Sequence, residues 1–254
     1  MTVQVWAERI WTARRDGVLL DPPSLSAGGL DLAAAYTVQE ELHRRRLARG
    51  ERAAGWKLGY TSAAMRTQMG IAEPNSGPLT DAMILRSSEG VPAQLPDDVR
   101  HPRVEPEVAL VLGSDLVGEA SVEDVRSVVV EARAALEVVD STWRDYRFTL
   151  ADNTADGSSA AYVVLGEVIP LDAVDDLAVQ LTVGEVVSEA TTAAAMGSPW
   201  TALAWLRDHL ADRGLQAPAG SVVITGGLTA AVAVPVGDGA VSRFGEVASV
   251  ALTR

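Results

Sequence analysis

The sequence of 254 residues contains no cysteine and only three histidines. The absence of cysteine excludes disulfides, thiolate-bound metals and a cysteine nucleophile, and it fits a reducing compartment. The histidines, His43, His101 and His209, lie in unrelated segments, so a histidine-based metal site or catalytic triad has little support. Catalytic or metal-binding groups must therefore be sought among the oxygen-bearing and amine side chains.

Long apolar runs and an excess of positive charge are also missing. No stretch of 18 apolar residues occurs, and residues 1–15 lack the apolar core of a signal peptide. There are 34 acidic and 21 basic residues, a formal net charge of −13, which disfavours nucleic acid as a partner. Because 48% of the residues are hydrophobic, we expect a globular protein. The lack of a signal-peptide core and of a long apolar run predicts a cytoplasmic location without a membrane partner, and the negative charge predicts no nucleic-acid partner.

Two glutamates two residues apart lie within an apolar run that starts at His101 and ends at Leu112. In a strand, Glu105 and Glu107 would project from the same face. Close carboxylates on a partly apolar face need a shared proton, a basic partner or a cation. Together with Glu137, they would suit a hard cation such as Mg²⁺ or Mn²⁺. The alternative is that the pair forms a solvated strand edge and Glu137 an exposed helix turn.

The pattern of apolar and turn-forming residues predicts helices and strands in an irregular order, which favours an α+β fold. A capping box at Thr37 and Glu40 predicts that a helix begins there and ends near Gly50. The predicted elements that follow are a strand over 55–59, a helix over 62–69, a loop over 73–80, the Glu-x-Glu strand, a helix from 121 that reaches Leu136, a helix over 198–210 and several strands over 221–252.

Lys57 lies in a strand-like run between Trp56 and Leu58. An apolar setting lowers the pKa of a lysine and allows proton transfer, whereas nearby carboxylates raise that pKa. A lysine that extends to solvent from a strand edge is the alternative. No nucleotide-binding glycine motif follows a strand, and no Walker motif or nucleophile elbow is present.

Five ordered blocks, at residues 55–62, 74–81, 101–109, 136–141 and 155–159, together resemble the 2-keto-4-pentenoate hydratase and 4-oxalocrotonate decarboxylase family of the fumarylacetoacetate hydrolase superfamily. The resemblance extends from about Thr37 to the carboxyl terminus. It implies a mixed β-roll with a helical N-terminal region. We accordingly predict a helical N-terminal region over residues 1–75 and a mixed β catalytic domain over residues 76–254.

The resemblance also implies the site residues. Glu105, Glu107 and Glu137 correspond to the ligands of Mg²⁺ or Mn²⁺, Lys57 to the lysine of the active site, and Ser159 to a serine of the substrate pocket. We further expect Asn75 and Arg147 to bind substrate, with Arg147 at the remote carboxylate. Members of the family are homo-oligomers, and the resemblance leaves open a complex with another enzyme of the same pathway.

The implied activity is the metal-dependent decarboxylation of a 2-oxo-3-enedioate through a dienolate, in aromatic hydrocarbon catabolism. Hydratases of the family commonly have an aspartate in the loop where this chain has Asn75, and the segment from Arg144 to Leu150 resembles the decarboxylases. Gly157 replaces an asparagine of the family pattern, and Ser76 replaces an aromatic residue. The alternatives are a hydratase of 2-hydroxy-2,4-dienoates, an enzyme of a related pathway and a non-catalytic subunit.

Overall fold

The computed structural model describes residues 2–25, 29–62, 66–67, 70–118 and 121–254. Its α-helices are α1 Val3–Asp16, α2 Leu32–Ala48, α3 Val122–Ser127, α4 Leu150–Ala155 and α5 Pro199–Asp212. Its strands are β1 Ala53–Gly59, β2 Asn75–Thr80, β3 Ile84–Arg86, β4 Ala93–Gln94, β5 Arg103–Leu112, β6 Val129–Val139, β7 Ala160–Ile169, β8 Ala178–Val183, β9 Val186–Thr191, β10 Val222–Ile224, β11 Val232–Ala233, β12 Gly239–Phe244 and β13 Ala248–Thr253.

The larger sheet is mixed and has the strand order β2-β1-β10-β5-β6-β7-β3, with β11 also paired to β5. The long strands β5 and β6 are antiparallel and central, and Glu105 is paired with Glu137 across them. Strand β1 pairs in parallel with β10, and β10 pairs with β5. This order places β1, β10 and β5 side by side, although they are far apart in the sequence.

A second sheet, of order β4-β13-β12-β8-β9, packs against the first through an apolar core. Alternate residues of β5 and β6, such as Val108 and Leu136, enter this core, and Val250 of β13 meets them there. Helix α5 adds Trp200 and Leu206. Each such side chain contributes roughly 1.5–3 kcal/mol on burial, so the core fixes how the two sheets lie together.

The N-terminal helices pack around the fully buried Trp143. Trp6 contacts its ring edge-on, with ring centroids 6.1 Å apart, and the Trp143 indole donates a hydrogen bond of 2.8 Å to the carbonyl oxygen of Asp152. A buried indole needs such a partner for its N–H group. Helices α1 and α2 thereby hold the segment around α4, which adjoins the candidate site. No helix in the described part of the chain is long and apolar enough to span a bilayer.

The mixed β-roll and the helical N-terminal region are confirmed. The boundary between residues 75 and 76 stays a prediction, and β1, from the first segment, is a full member of the larger sheet. The helix predicted over 198–210 is also confirmed, with Ser198 as its N-cap and Pro199 in its first turn. The helix predicted over 62–69 lies largely outside the described residues.

Three other sequence-based predictions are wrong. Helix α2 begins after Asp31, whose side chain caps it, and the Thr37 hydroxyl instead donates to Ala33 within the helix. Most of the segment 73–80 is strand β2 and not a loop, because Pro78 is tolerated on an edge strand. The helix from 121 ends at Ser127, and the β-branched run that follows starts β6, so Glu137 is a strand residue.

Candidate metal centre

Three glutamates converge on the face of the larger sheet that is opposite the inter-sheet core. Glu105 and Glu107 alternate along β5, and Glu137 faces Glu105 from β6. Each offers one carboxylate oxygen that lies within 4.8 Å of the other two. Glu107 and Glu137 are fully buried, whereas Glu105 is half-buried. The carboxylates therefore share one enclosed position and are not a solvated strand edge.

Two glycines after β10 let the chain approach these carboxylates. The backbone N–H of Gly226 donates a hydrogen bond of 2.7 Å to Glu107 Oε2. At Gly227, a Cβ atom would lie only 2.1 Å from Glu105 Oε2. A side chain at Gly227 would therefore clash with Glu105. Gly226 has a φ of +98°, which favours glycine for a separate reason.

Several oxygens of the cluster have no hydrogen-bond donor. Among the described residues, Glu107 Oε1 and Glu137 Oε1 are buried without a hydrogen bond, and Glu137 Oε2 has only the ion pair with Lys57. Buried carboxylate oxygens are costly unless a cation or donor meets them. Three oxygen ligands of this kind match the preference of Mg²⁺ and Mn²⁺, so the residues present fit a divalent cation.

Lys57 supplies positive charge beside the cluster from β1. Its Nζ atom lies 3.0 Å from Glu137 Oε2 and donates to the backbone carbonyl and hydroxyl of Ser158, at 3.0 and 3.1 Å. Burial acts to lower the pKa of Lys57, but the charges of Glu137, Glu107 and Glu105 outweigh it and raise that pKa. Lys57 is therefore held as a buried ammonium group and does not extend to solvent.

The same enclosure disfavours charge on the acids. Burial, followed by the charge of Glu137, raises the pKa of Glu105 to about 7 and the pKa of Glu107 well above its usual range. Burial also raises the pKa of Glu137, although the ammonium group of Lys57 opposes this shift. A bound divalent cation would favour the ionised form of all three carboxyl groups.

A cavity of about 370 Å³ opens next to the glutamates. It is lined by Lys57, Gly59, Tyr60, Arg103, Glu105, Val139, Asp145, Tyr146, Phe148, Asn153, Ser158, Ser159, Ala230 and Ala231. Its volume suits a small organic acid, and its wall combines charged groups with aromatic rings. The metal cluster and the cavity together form one candidate site.

The serine loop after α4 holds one wall of this cavity. Ser158 and Ser159 both have left-handed backbones, with φ of 56° and 59°. Asn153 donates to the Ser159 hydroxyl at 2.9 Å, and the Ser158 hydroxyl donates to Asn75 Oδ1 at 3.0 Å. Asn75 in turn donates to Asn153 and Thr154. This network fixes backbone conformations that serine rarely adopts.

The structure brings together Lys57, Ser159 and the three glutamates. Asn75 is fully buried behind the serine loop and does not line the cavity, and the exposed Arg147 does not line it either. Their predicted contact with substrate stays a prediction. Sequence reasoning missed Tyr60, Ser158, Tyr146 and Arg103 as lining residues. Strand alternation could have found Arg103, which lies two residues before Glu105.

Comparisons with known proteins agree with this geometry. A family model described as fumarylacetoacetate (FAA) hydrolase C-terminal matches residues 59–252. A 2-keto-4-pentenoate hydratase from Burkholderia vietnamiensis is 37% identical over 233 residues, which cover 90% of this chain and 88% of the relative. A 4-oxalocrotonate decarboxylase from Pseudomonas putida is 36% identical over 226 residues, covering 87% and 84%.

A solved structure is similar along nearly the whole chain. It is the 4-oxalocrotonate decarboxylase from Pseudomonas putida G7, complexed with magnesium and adipate. The similarity has a TM-score of 0.91 at 30% sequence identity and covers 99% of this chain and 96% of the other. That protein therefore holds a divalent cation and a six-carbon diacid on the same fold.

Proposed function

Because the chain belongs to the fumarylacetoacetate hydrolase family, we propose that it is a divalent-metal-dependent lyase that decarboxylates a 2-oxo-3-enedioate. The observation that carries this proposal is the enclosed cluster of Glu105, Glu107 and Glu137, which adjoins through Glu105 a cavity large enough for a small diacid. The relatives named as decarboxylases and the neighbour with bound adipate support the choice of reaction.

Glu105, Glu107 and Glu137 would hold Mg²⁺ or Mn²⁺ through their carboxylate oxygens. When bound, the cation supplies a Lewis acid that polarises the 2-oxo group of the substrate. In the proposed reaction the bond to the remote carboxyl carbon breaks and CO₂ leaves. The bonding electrons pass through the alkene to the 2-oxo oxygen, and a proton then neutralises the negative charge.

Lys57 is our choice for the group that balances this charge and delivers the proton. Its raised pKa keeps it protonated, and its contacts with Glu137 and Ser158 hold the ammonium group at the cavity wall. Ser159 would orient the substrate from the same wall, because Asn153 fixes its hydroxyl. Asn75 would act on the substrate only through the serine loop, since its side chain is committed to Ser158, Asn153 and Thr154.

The second candidate is hydration of a 2-hydroxy-2,4-dienoate, because several relatives at similar identity are named hydratases. The two activities need the same cation and differ in whether a base activates water. Hydratases of the family commonly have an aspartate at the position of Asn75. A neutral amide there cannot take up a proton from water, either directly or through the serine loop, which favours decarboxylation.

Product analysis tests the choice. Metal-loaded protein is incubated with 2-oxo-3-hexenedioate and, separately, with 2-hydroxy-2,4-pentadienoate in ¹⁸O-labelled water. We expect CO₂ release from the first substrate at a higher rate than ¹⁸O incorporation into the second. Incorporation of ¹⁸O without CO₂ release would replace the decarboxylase assignment with the hydratase. If neither product forms, the remaining assignments are an enzyme of a related pathway and a non-catalytic subunit.

The wider setting that we propose follows the relatives. The chain would act in the catabolism of aromatic hydrocarbons, in the cytoplasm, and as a homo-oligomer. A complex with another enzyme of the same pathway is a further part of this proposal. Sedimentation of the purified protein, alone and in the presence of Mg²⁺, would test the assembly.

A further inference from the structure

Arg103 is the second cationic side chain of the cavity wall. It lies on β5 two residues before Glu105, which places both side chains on the same face and their Cα atoms about 7 Å apart along the strand. An extended diacid whose 2-oxo end lies at the glutamates could therefore reach Arg103 with its other end. The cavity connects the two positions.

The guanidinium group of Arg103 is available for an anion. Within the described ranges, it has no carboxylate within ion-pair distance and no side-chain hydrogen bond, whereas the other cation of the cavity, Lys57, is paired with Glu137. The carboxyl groups facing the same cavity are Glu105 and the exposed Asp145. Arg103 is thus the group that can compensate for additional negative charge on a ligand.

An aromatic ring fixes where this guanidinium group lies. Its central carbon is 4.3 Å from the centroid of the Tyr146 ring, a cation–π contact. The Tyr146 hydroxyl is held by the carbonyl oxygens of His101 and Val139, at 3.0 and 2.9 Å. Stacking leaves the edge of the guanidinium fork free to bind both oxygens of a carboxylate.

We propose that Arg103 binds the carboxylate remote from the 2-oxo group and thereby selects dicarboxylates as the substrate class. The proposal rests on the proposed function and adds to it the residue that recognises the second charge. Arg147, which sequence analysis favours for this role, is not among the residues that line the cavity.

This role has a distinct kinetic consequence. The remote carboxylate loses its charge as it leaves as CO₂, so the contact with Arg103 is stronger in the bound substrate than in the transition state. An interaction of this kind lowers KM without raising kcat. Arg103→Met should therefore raise KM for the enedioate about 10-fold or more, while kcat stays constant or rises.

Binding of unreactive ligands gives a readout that does not need turnover. 2-Oxoadipate has the remote carboxylate but lacks the alkene, and 2-oxohexanoate lacks the remote carboxylate. Calorimetry on the Mg²⁺-loaded enzyme should show that the unsubstituted protein prefers 2-oxoadipate by about 10- to 100-fold. Arg103→Met should abolish this preference without weakening 2-oxohexanoate, and Arg103→Lys should retain part of it.

Arg243→Met is the matched control, because this exposed arginine lies on β12 of the second sheet, and it should keep the full preference. An unchanged preference for 2-oxoadipate in Arg103→Met would overturn the proposal. Equal weakening of the binding of both ligands would also overturn it and would assign Arg103 to the 2-oxo end of the ligand. Loss of the preference in Arg147→Met alone would overturn it as well. Failure of the proposed function would appear separately, as an absence of CO₂ release by the unsubstituted enzyme.

Discussion

Glu107 is the glutamate of the cluster that is bound to the turn after β10. One of its oxygens accepts the hydrogen bond from Gly226, and the other is buried without a donor in the described residues. Glu107→Gln should lower Mg²⁺ affinity by about 100-fold or more, because a neutral amide replaces an anionic ligand. This loss is larger than the loss typical of a residue that contacts only a metal ligand and not the metal. Calorimetry measures this, with the exposed Glu246→Gln as control. Unchanged affinity in Glu107→Gln would exclude the proposed ligand set.

Lys57 should have separable effects on activity and on the metal. Lys57→Met removes the ammonium group 3.0 Å from Glu137, so turnover of the metal-loaded enzyme should fall by about 10²-fold or more. The metal-free variant should also lose stability, because the buried carboxyl group of Glu137 loses its ion-pair partner, and added Mg²⁺ should restore the melting temperature. Thermal unfolding with and without Mg²⁺ checks this. Retained turnover would assign Lys57 to folding alone.

At this scale the sequence predicts part of the site. Strand alternation places Glu105 and Glu107 together, and the same rule extends to Arg103. It does not reveal that Glu137 faces Glu105, because that pairing depends on a register between two strands. Tyr60 and Ser158 have left-handed backbones just after regular elements, and no spacing rule predicts where such side chains point.

The pairing of β5 with β6 and the glycine turn after β10 together position the carboxylates of the cluster. Gly227→Ala would place a Cβ atom 2.1 Å from Glu105 Oε2, and the Glu105 side chain would have to move. We expect Mg²⁺ affinity to fall by about 10-fold or more while the sheet remains intact, since Gly227 does not need a left-handed backbone. In Gly29→Ala the new Cβ meets nothing closer than 3.5 Å, so this variant serves as control. Equal affinities in the two variants would show that the close approach is unimportant.

Elements are predictable where a local signal decides them. Ser198 and Pro199 mark the start of α5 by capping chemistry alone. Strand β2 is not predicted from the sequence, because its proline and glycine are typical of a turn. Its pairing with β1 at the edge of the sheet makes it a strand. In β6, apolar residues at helical spacing coincide with a strand, and the partners β5 and β7 decide the outcome.

For the whole molecule, the buried acids link stability to pH. Burial raises the pKa values of all three glutamates, that of Glu105 to about 7. Their folded pKa values lie above the unfolded value near 4.5, so the metal-free protein should lose stability as pH rises from about 4.5 through 7. Mg²⁺ offsets this loss, and its effect on the melting temperature should therefore be several degrees larger at pH 8 than at pH 5.

His209 acts in the opposite direction. Burial lowers its pKa to about 4, so it costs stability as pH falls below about 6.5. The melting temperature with Mg²⁺ minus that without Mg²⁺ should cancel this contribution, because His209 lies on α5 and is not one of the carboxylate ligands. The link to the carboxylate cluster would be contradicted if the shift in melting temperature caused by Mg²⁺ did not grow with pH. It would also be contradicted if the growth with pH were unchanged in Glu107→Gln.

The overall fold is predictable through the resemblance, because five ordered blocks identify a chain topology that composition alone does not. Which strands become neighbours is not visible in any local pattern. Strand β1 lies beside β10, and these two strands are far apart in the sequence. The sheet order that assembles the site is thus a property of the complete chain.

That parallel pairing of β1 with β10 has a kinetic consequence. The pairing of such distant segments requires the closure of a long loop, and we expect Lys57 and the Gly226–Gly227 turn to reach the glutamates only after the main barrier is crossed. A cation that needs the finished site stabilises the native state and not the transition state. Stopped-flow measurements should show that Mg²⁺ slows unfolding about 10-fold or more and leaves the refolding rate unchanged. The metal would then stabilise the chain only after it has folded. Faster refolding in the presence of Mg²⁺ would instead show that the metal takes part in the folding transition state.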